Sequence, residues 1–146
     1  MTDQFHFDWQ TLSGDGAVFV HVGSQTNTDG WAKAGVMLRQ TGAANAVFYA
    51  VYVTPTNGIS VQYRSASGAS AQQAIQISGA APAYLEVGRA GSNFTAYTSL
   101  NSTSWTPIAG STVALPNLSG ALLAGLAVTS HNAGALSTVT FDTVGP

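Results

Sequence analysis

An antiparallel β-sandwich is the fold that the sequence predicts, and three observations predict it. Hydrophobic residues recur with a period of two along most of the chain, the signature of strands with one dry face. Clusters of Gly, Asn, Asp, Ser and Pro interrupt these runs at short intervals, where turns belong. No stretch carries a convincing helical period. Ten or so short strands on a single domain spanning 1–146 fit two stacked antiparallel sheets.

The elements follow in order. Val18, Val20 and Val22 alternate with Ala17, Phe19 and His21. Ala34, Val36 and Leu38 alternate with Lys33, Gly35, Met37 and Arg39, and Ile59, Val61 and Tyr63 with Ser60, Gln62 and Arg64. Residues 46–54 are apolar on both faces, as a central strand of a stacked sheet must be. Residues 122–129 read the same way, with Gly125 marking a bulge or a close backbone contact. Asn57-Gly58, between two such runs, predicts a hairpin. Residues 65–73, rich in Ser, Ala, Gly and Gln, read as a loop.

Composition bounds the function. A chain of 146 residues buries about 70% of the surface exposed on unfolding, enough for a core without staples. Charged residues make up 7%, against a usual share of about 25%. With 45% hydrophobic residues this is not the composition of a disordered chain, which combines low hydrophobicity with high charge. No run approaches the roughly 18 apolar residues of a spanning helix, so membrane insertion is not expected. Four basic residues between Lys33 and Arg89 and a net charge of −2 cannot form the cationic stripe that nucleic acid or an anionic bilayer requires. The chain has no cysteine, which excludes disulfides and thiolate metal sites. Met1-Thr2-Asp3-Gln4 has no basic, then apolar, leader character, so a secretion signal would lie outside this sequence.

Several stretches together resemble a known family. They are Asp3-Gln4-Phe5-His6-Phe7, the run 24–39 with its Thr28-Asp29-Gly30-Trp31-Ala32-Lys33 centre, and Val53-Thr54-Pro55-Thr56-Asn57-Gly58. Gly91-Ser92-Asn93-Phe94, Ser104-Trp105-Thr106, Ser130-His131-Asn132 and Thr140-Phe141-Asp142 complete the set. In this order they look like the concanavalin A-like lectin/glucanase jelly-roll modules appended to secreted bacterial glycoside hydrolases and surface proteins. The resemblance covers nearly the whole chain from Asp3. It implies a jelly-roll sandwich, an extracellular or cell-surface location and a polysaccharide or glycan ligand. Similar modules carry one or two further strands before the position of Asp3, ending in a Trp-Gly pair, which are missing here. A sheet edge left open in this way is a site where a partner chain could add a strand.

Catalysis finds little support in the residues. A glycosidase generally needs two carboxylates across the scissile bond, and only Asp3, Asp8, Asp15, Asp29, Glu86 and Asp142 are available. Asp15 and Asp29 sit in turns, where Asp serves backbone geometry. Glu86, between the core-facing Leu85 and Val87, is expected to point to solvent. The alternating acidic group that glucan-cleaving relatives of this fold carry on one strand is absent, so a non-enzyme is expected. Ser130-His131 lacks a nucleophile elbow, and adjacent strand residues point to opposite faces. His6, His21 and His131 have no zinc-like spacing. No cofactor is expected. Structural calcium, held by Asp29 with Asn27 or by Asp142, is the one metal the turn oxygens leave open.

A sugar site is the better expectation. Lys33, Met37 and Arg39 share one strand face, and Gln62 and Arg64 share another. If those strands are neighbours, Lys33, Arg39, Gln62 and Arg64 converge on one patch with Tyr49 or Tyr97 nearby. Arg supplies a planar fork suited to vicinal hydroxyls or a uronate; the competing reading has Arg39 and Arg64 bonding loop carbonyls or Asp residues. Trp31, straight after a turn, reads as a structural wedge, whereas Trp105, in a polar irregular segment, is the tryptophan expected to reach a ligand. The sequence therefore predicts a non-catalytic carbohydrate-binding accessory module, with a structural or adhesive cell-surface module as the alternative.

Overall fold

The structure, a computed structural model, describes residues 6–129 and 139–145, with side chains described over 10–129. Twelve strands are described and no helix. They are β1 (His6–Ser13), β2 (Gly16–Gln25), β3 (Lys33–Arg39), β4 (Phe48–Val53), β5 (Ile59–Arg64), β6 (Gln72–Ile77), β7 (Ala83–Ala90), β8 (Asn93–Ser99), β9 (Trp105–Pro107), β10 (Val113–Ala114), β11 (Ala121–Thr129) and β12 (Val139–Gly145). One six-stranded sheet runs β1-β11-β3-β4-β5-β6; the other runs β10-β8-β7-β2-β12, with β9 also pairing β8. All the strand pairings described are antiparallel.

The period-two pattern is what holds the sheets together. Ala34, Val36 and Leu38 of β3, Val51 and Val53 of β4, and Val61 of β5 face Val18, Val20 and Val22 of β2 and Leu85 and Val87 of β7. Each such Val or Leu is worth about 1.5–3 kcal/mol when fully removed from water. β4 is buried along its whole length, as its two-faced apolar sequence requires of a central strand. Tyr49 points into this core, wholly buried, with its ring 5.8 Å from Phe94 and its hydroxyl donating to the Ser111 carbonyl at 2.6 Å. Burial pushes the Tyr49 phenol far above its ordinary range.

Local features refine the sequence reading. The ladders on both sides of β11 run through Gly125 without a register shift. Irregularities fall instead between Val61 and Gln62 of β5 and within β12. Close approach does govern another glycine: a Cβ on Gly35 would collide with the Val51 carbonyl of β4. The Asn57-Gly58 hairpin joins β4 to β5. Its loop is closed by Thr54, whose backbone N–H and hydroxyl both donate to the Gly58 carbonyl, at 2.9 and 2.8 Å. Gln72 and Gln73, expected in a loop, belong to β6. Ser130-His131-Asn132 and Asp3 lie outside the described residues. β1 forms one edge of its sheet and β6 the other.

Candidate functional site

The sandwich has two outer faces, and the residues singled out from the sequence divide between them and the core. Lys33, Arg39, Gln62 and Arg64 lie on the outer face of the β3–β4–β5 sheet. Cross-strand register puts Arg39, Phe48 and Arg64 in one row. The guanidinium carbons stand 5.7 Å and 5.1 Å from the Phe48 ring centre, on either side of it. Both arginines are buried, 2% and 1% exposed. Arg39 donates to the Thr41 and Ala43 carbonyls. Arg64 donates to Ala69 at 2.8 Å and Ala46 at 3.0 Å. They clip the 40–46 and 65–71 loops to the sheet. Lys33 stands at the other end of β3, its ammonium 3.2 Å from the Trp31 carbonyl and above the Trp31 ring. Burial lowers its pKa, against the opposing pull of Asp29.

Gln62 donates to the Ser60 hydroxyl, which bonds Gln73. Between these groups Met37, Phe48, Ala50, Tyr52 and Ala127 form a second buried apolar cluster. This face is closed, and its basic groups do not converge on an open patch.

The outer face of the other sheet differs. Alternation turns Val18, Val20, Leu85, Val87, Phe94 and Ala96 inward, so Phe19, His21, Tyr84, Glu86, Tyr97 and Trp105 stand outward, all half-buried. Register builds two rows: Phe19, Glu86, Tyr97 and Pro107, then His21, Tyr84, Ser99 and Trp105. The His21 and Tyr84 rings stack at 4.1 Å. The Phe19 and Trp105 ring centres are 5.4 Å apart, although β2 and β9 are separated by three strand spacings, about 14 Å. Both side chains must therefore lean across β7 and β8 toward each other, their ring planes inclined at 57°, and the small Ser99 opposite Trp105 leaves room for them. Tyr97 also leans, toward β7: a Cβ on Gly88 would lie 3.1 Å from its Cε2, so the ring covers the position where Gly88 has no side chain.

Glu86 sits between Phe19 and Tyr97 in this floor of rings. Its partial burial raises the carboxyl pKa. No side chain or N–H among the described residues bonds or pairs with it. Beside it a cleft of about 190 Å³ is lined by Glu86, Gly88, Arg89, Asn93, Thr95 and Tyr97, among others. Arg89 closes one end, donating to the carbonyls of Gly14 at 3.3 Å, Gly91 at 3.5 Å and Gly120 at 2.7 Å. Asp15 is held by the Gly91 N–H and Asp29 by the Trp31 N–H. Among the described residues no group of three or more His, Asp or Glu is placed to hold a metal.

A larger open cleft, about 740 Å³, lies between Thr56, Asn57, Gly58 and Gln76, Ile77, Ser78, Gly79. No ring lines it, and Gln76 spends its amide on the Asn57 carbonyl at 2.6 Å. Of the predicted sugar contacts, the structure thus brings Tyr97 and Trp105 onto one open face, and places Tyr49 in the core and the four polar residues on the opposite side. Phe19, Tyr84 and Glu86 complete the open face; the alternation against Val18, Leu85 and Val87 was the signal for them.

The sequence matches no family model and no curated protein. Solved structures do match. A functionally unknown protein from Saccharomyces cerevisiae aligns with a TM-score of 0.71 at 16% identity, over 98% of this chain and 74% of that one. A GH43 protein from Bacillus licheniformis aligns with a TM-score of 0.66 at 14% identity; the match covers 86% of this chain and only 26% of the GH43 chain. Sheep galectin-11, in complex with glycerol, aligns with a TM-score of 0.54 at 7% identity, over 99% and 98% of the two chains. The chain is similar to these proteins in fold: an all-β, two-sheet sandwich of the jelly-roll type.

Proposed function

We propose that the protein is a non-catalytic carbohydrate-binding module of a secreted bacterial protein, and that it takes polysaccharide or glycan on the outer face of the β2–β7–β8 sheet. The observation that carries this is the floor of half-exposed rings, Phe19, Tyr84, Tyr97 and Trp105. Half-exposed rings packed against one another on a stiff sheet suit the apolar C–H faces of pyranoses, and their mutual contacts hold them in place before a ligand arrives. Asn93, Thr95 and Glu86 along the cleft supply the polar contacts that fix orientation. Similarity of fold to a galectin and to part of a GH43 protein supports the sugar class by analogy. Affinity electrophoresis on a panel of soluble polysaccharides tests the reading. Retardation by at least one polysaccharide, abolished in Tyr97→Ala and Trp105→Ala, is expected; inertness toward the whole panel, or retardation unchanged in both variants, counts against it.

A structural or adhesive role at the cell surface is the second reading, and β1 at the sheet edge is what favours it. An edge strand presents unpaired backbone groups to which a partner chain can add a strand. Light scattering decides that point: a concentration-dependent oligomer supports strand addition, and a strict monomer opposes self-association at this edge.

A further inference from the structure

The carboxylate of Glu86 is the one feature of the ring floor that sugar stacking alone does not explain. A neutral side chain would leave a drier platform. Instead a formal negative charge stands between Phe19 and Tyr97, on the cleft wall, without a partner among the described residues. Such a group is costly to hold partly buried unless something compensates it. The surrounding rings are also the surfaces that attract a cation through their negative faces.

We infer that this face recognises glycans bearing a free, protonated amine, such as de-N-acetylated hexosamine polymers, with Glu86 reading the ammonium group while Tyr97 and Trp105 stack on the sugar. The inference rests on the glycan-binding reading and adds to it the charge of the ligand. Neutral hydroxyls could bond the carboxylate too. Only a cation, however, draws on both its charge and the ring faces beside it. A uronate, one of the two ligand groups expected of Arg39 and Arg64 beside vicinal hydroxyls, would meet repulsion here instead.

Among the described residues the groups facing Glu86 are few. From β2 they are Phe19, with Ala17 and His21 beside it; from β8, Tyr97, with Thr95 and Ser99. Its own strand contributes Tyr84 and Gly88. The titratable or charged neighbours are thus His21, Tyr84 and Tyr97, with Arg89 at the end of the cleft bonded to three carbonyls. The raised pKa of Glu86 agrees with a carboxylate lacking a cation, and adds a pH signature. Affinity for an amine-bearing sugar should fall as pH is lowered and the carboxyl takes up a proton.

The test is calorimetric titration, at about pH 6, of the wild-type protein, Glu86→Gln and Tyr97→Ala, with chitosan oligosaccharides, their fully N-acetylated counterparts and neutral β-glucan oligosaccharides. The wild type should bind the amine-bearing chains roughly tenfold more tightly than the acetylated ones. Glu86→Gln should erase that preference, bringing the amine-bearing chains down to the affinity of the acetylated ones, whereas Tyr97→Ala should weaken both. No amine preference in the wild type, or a preference that survives Glu86→Gln, overturns the inference while leaving glycan binding through the rings intact. Failure of every sugar to bind brings down both readings, so the two failures are distinguishable.

Discussion

Tyr97 reclines over Gly88: a Cβ added to the glycine would lie 3.1 Å from the tyrosine Cε2, and its ring borders the Glu86 cleft. The missing side chain on β7 is what leaves room for the ring edge of Tyr97 on β8. Gly88→Ala would lift the ring by a few tenths of an ångström. Glycan affinity is expected to fall severalfold in Gly88→Ala. The melting temperature should change little, because β7 stays extended and the β-carbon meets only a movable ring edge. Calorimetric titration beside a thermal melt checks both halves.

The arginine pair predicts the opposite pattern. Arg39 and Arg64 serve loop carbonyls from a buried position against Phe48. Replacing either by Met removes the guanidinium from its loop carbonyls, that of Ala46 being buried, and from the Phe48 ring. A loss of about 2–4 kcal/mol follows, which lowers the melting temperature by about 5–12 °C in a domain of this size. Glycan affinity of the folded fraction should remain within about twofold, since the arginines are on the other face. Denaturant unfolding and binding on the same preparations separate these effects.

Tyr49 gives a gentler version of the same test. Tyr49→Phe removes the bond to the Ser111 carbonyl and keeps the ring against Phe94. A stability loss of about 1–2 kcal/mol is expected from the orphaned carbonyl, with ligand binding unchanged. Chemical denaturation provides the number.

Glu86 carries a pH dependence whose sign is fixed by its burial. Its pKa is raised in the folded state, so folding favours the protonated form. That contribution is fully present below the unfolded carboxyl pKa, near 4.3, and is lost as pH rises through the folded value. Glu86→Gln is therefore expected to melt above the wild type at pH 7, with the gap closing as pH falls to about 4. Paired melting curves across that range measure it.

How much of this was legible in the sequence can be traced residue by residue. The period of two placed Val18, Val20, Val36, Leu38, Leu85 and Val87 inward, and the structure agrees. The two-faced apolar run fixed β4 as central. The strands carrying Arg39 and Arg64, which convergence required to be neighbours, are not paired: β4 lies between them, with Phe48 between the two arginines. Alternation says which side of a strand a residue takes, but not which sheet the strand joins. Nothing local to Tyr97 reveals that β8 lies in the sheet opposite β3, and so the predicted patch mixed residues from two faces and the core. Nor does alternation reveal burial of an outer face. Met37 and Arg39 read as the wetter side of β3, yet both are buried.

The central claim is that the ring-covered face of the β2–β7–β8 sheet is where glycan binds, and an NMR titration of backbone amides with a retarding oligosaccharide tests it most directly. Shift changes should cluster at Phe19, Tyr84, Glu86, Gly88, Tyr97 and Trp105 and leave Arg39, Gln62 and Arg64 still. Changes concentrated on the arginine face, or around Asn57 and Gln76 in the open cleft, would contradict it.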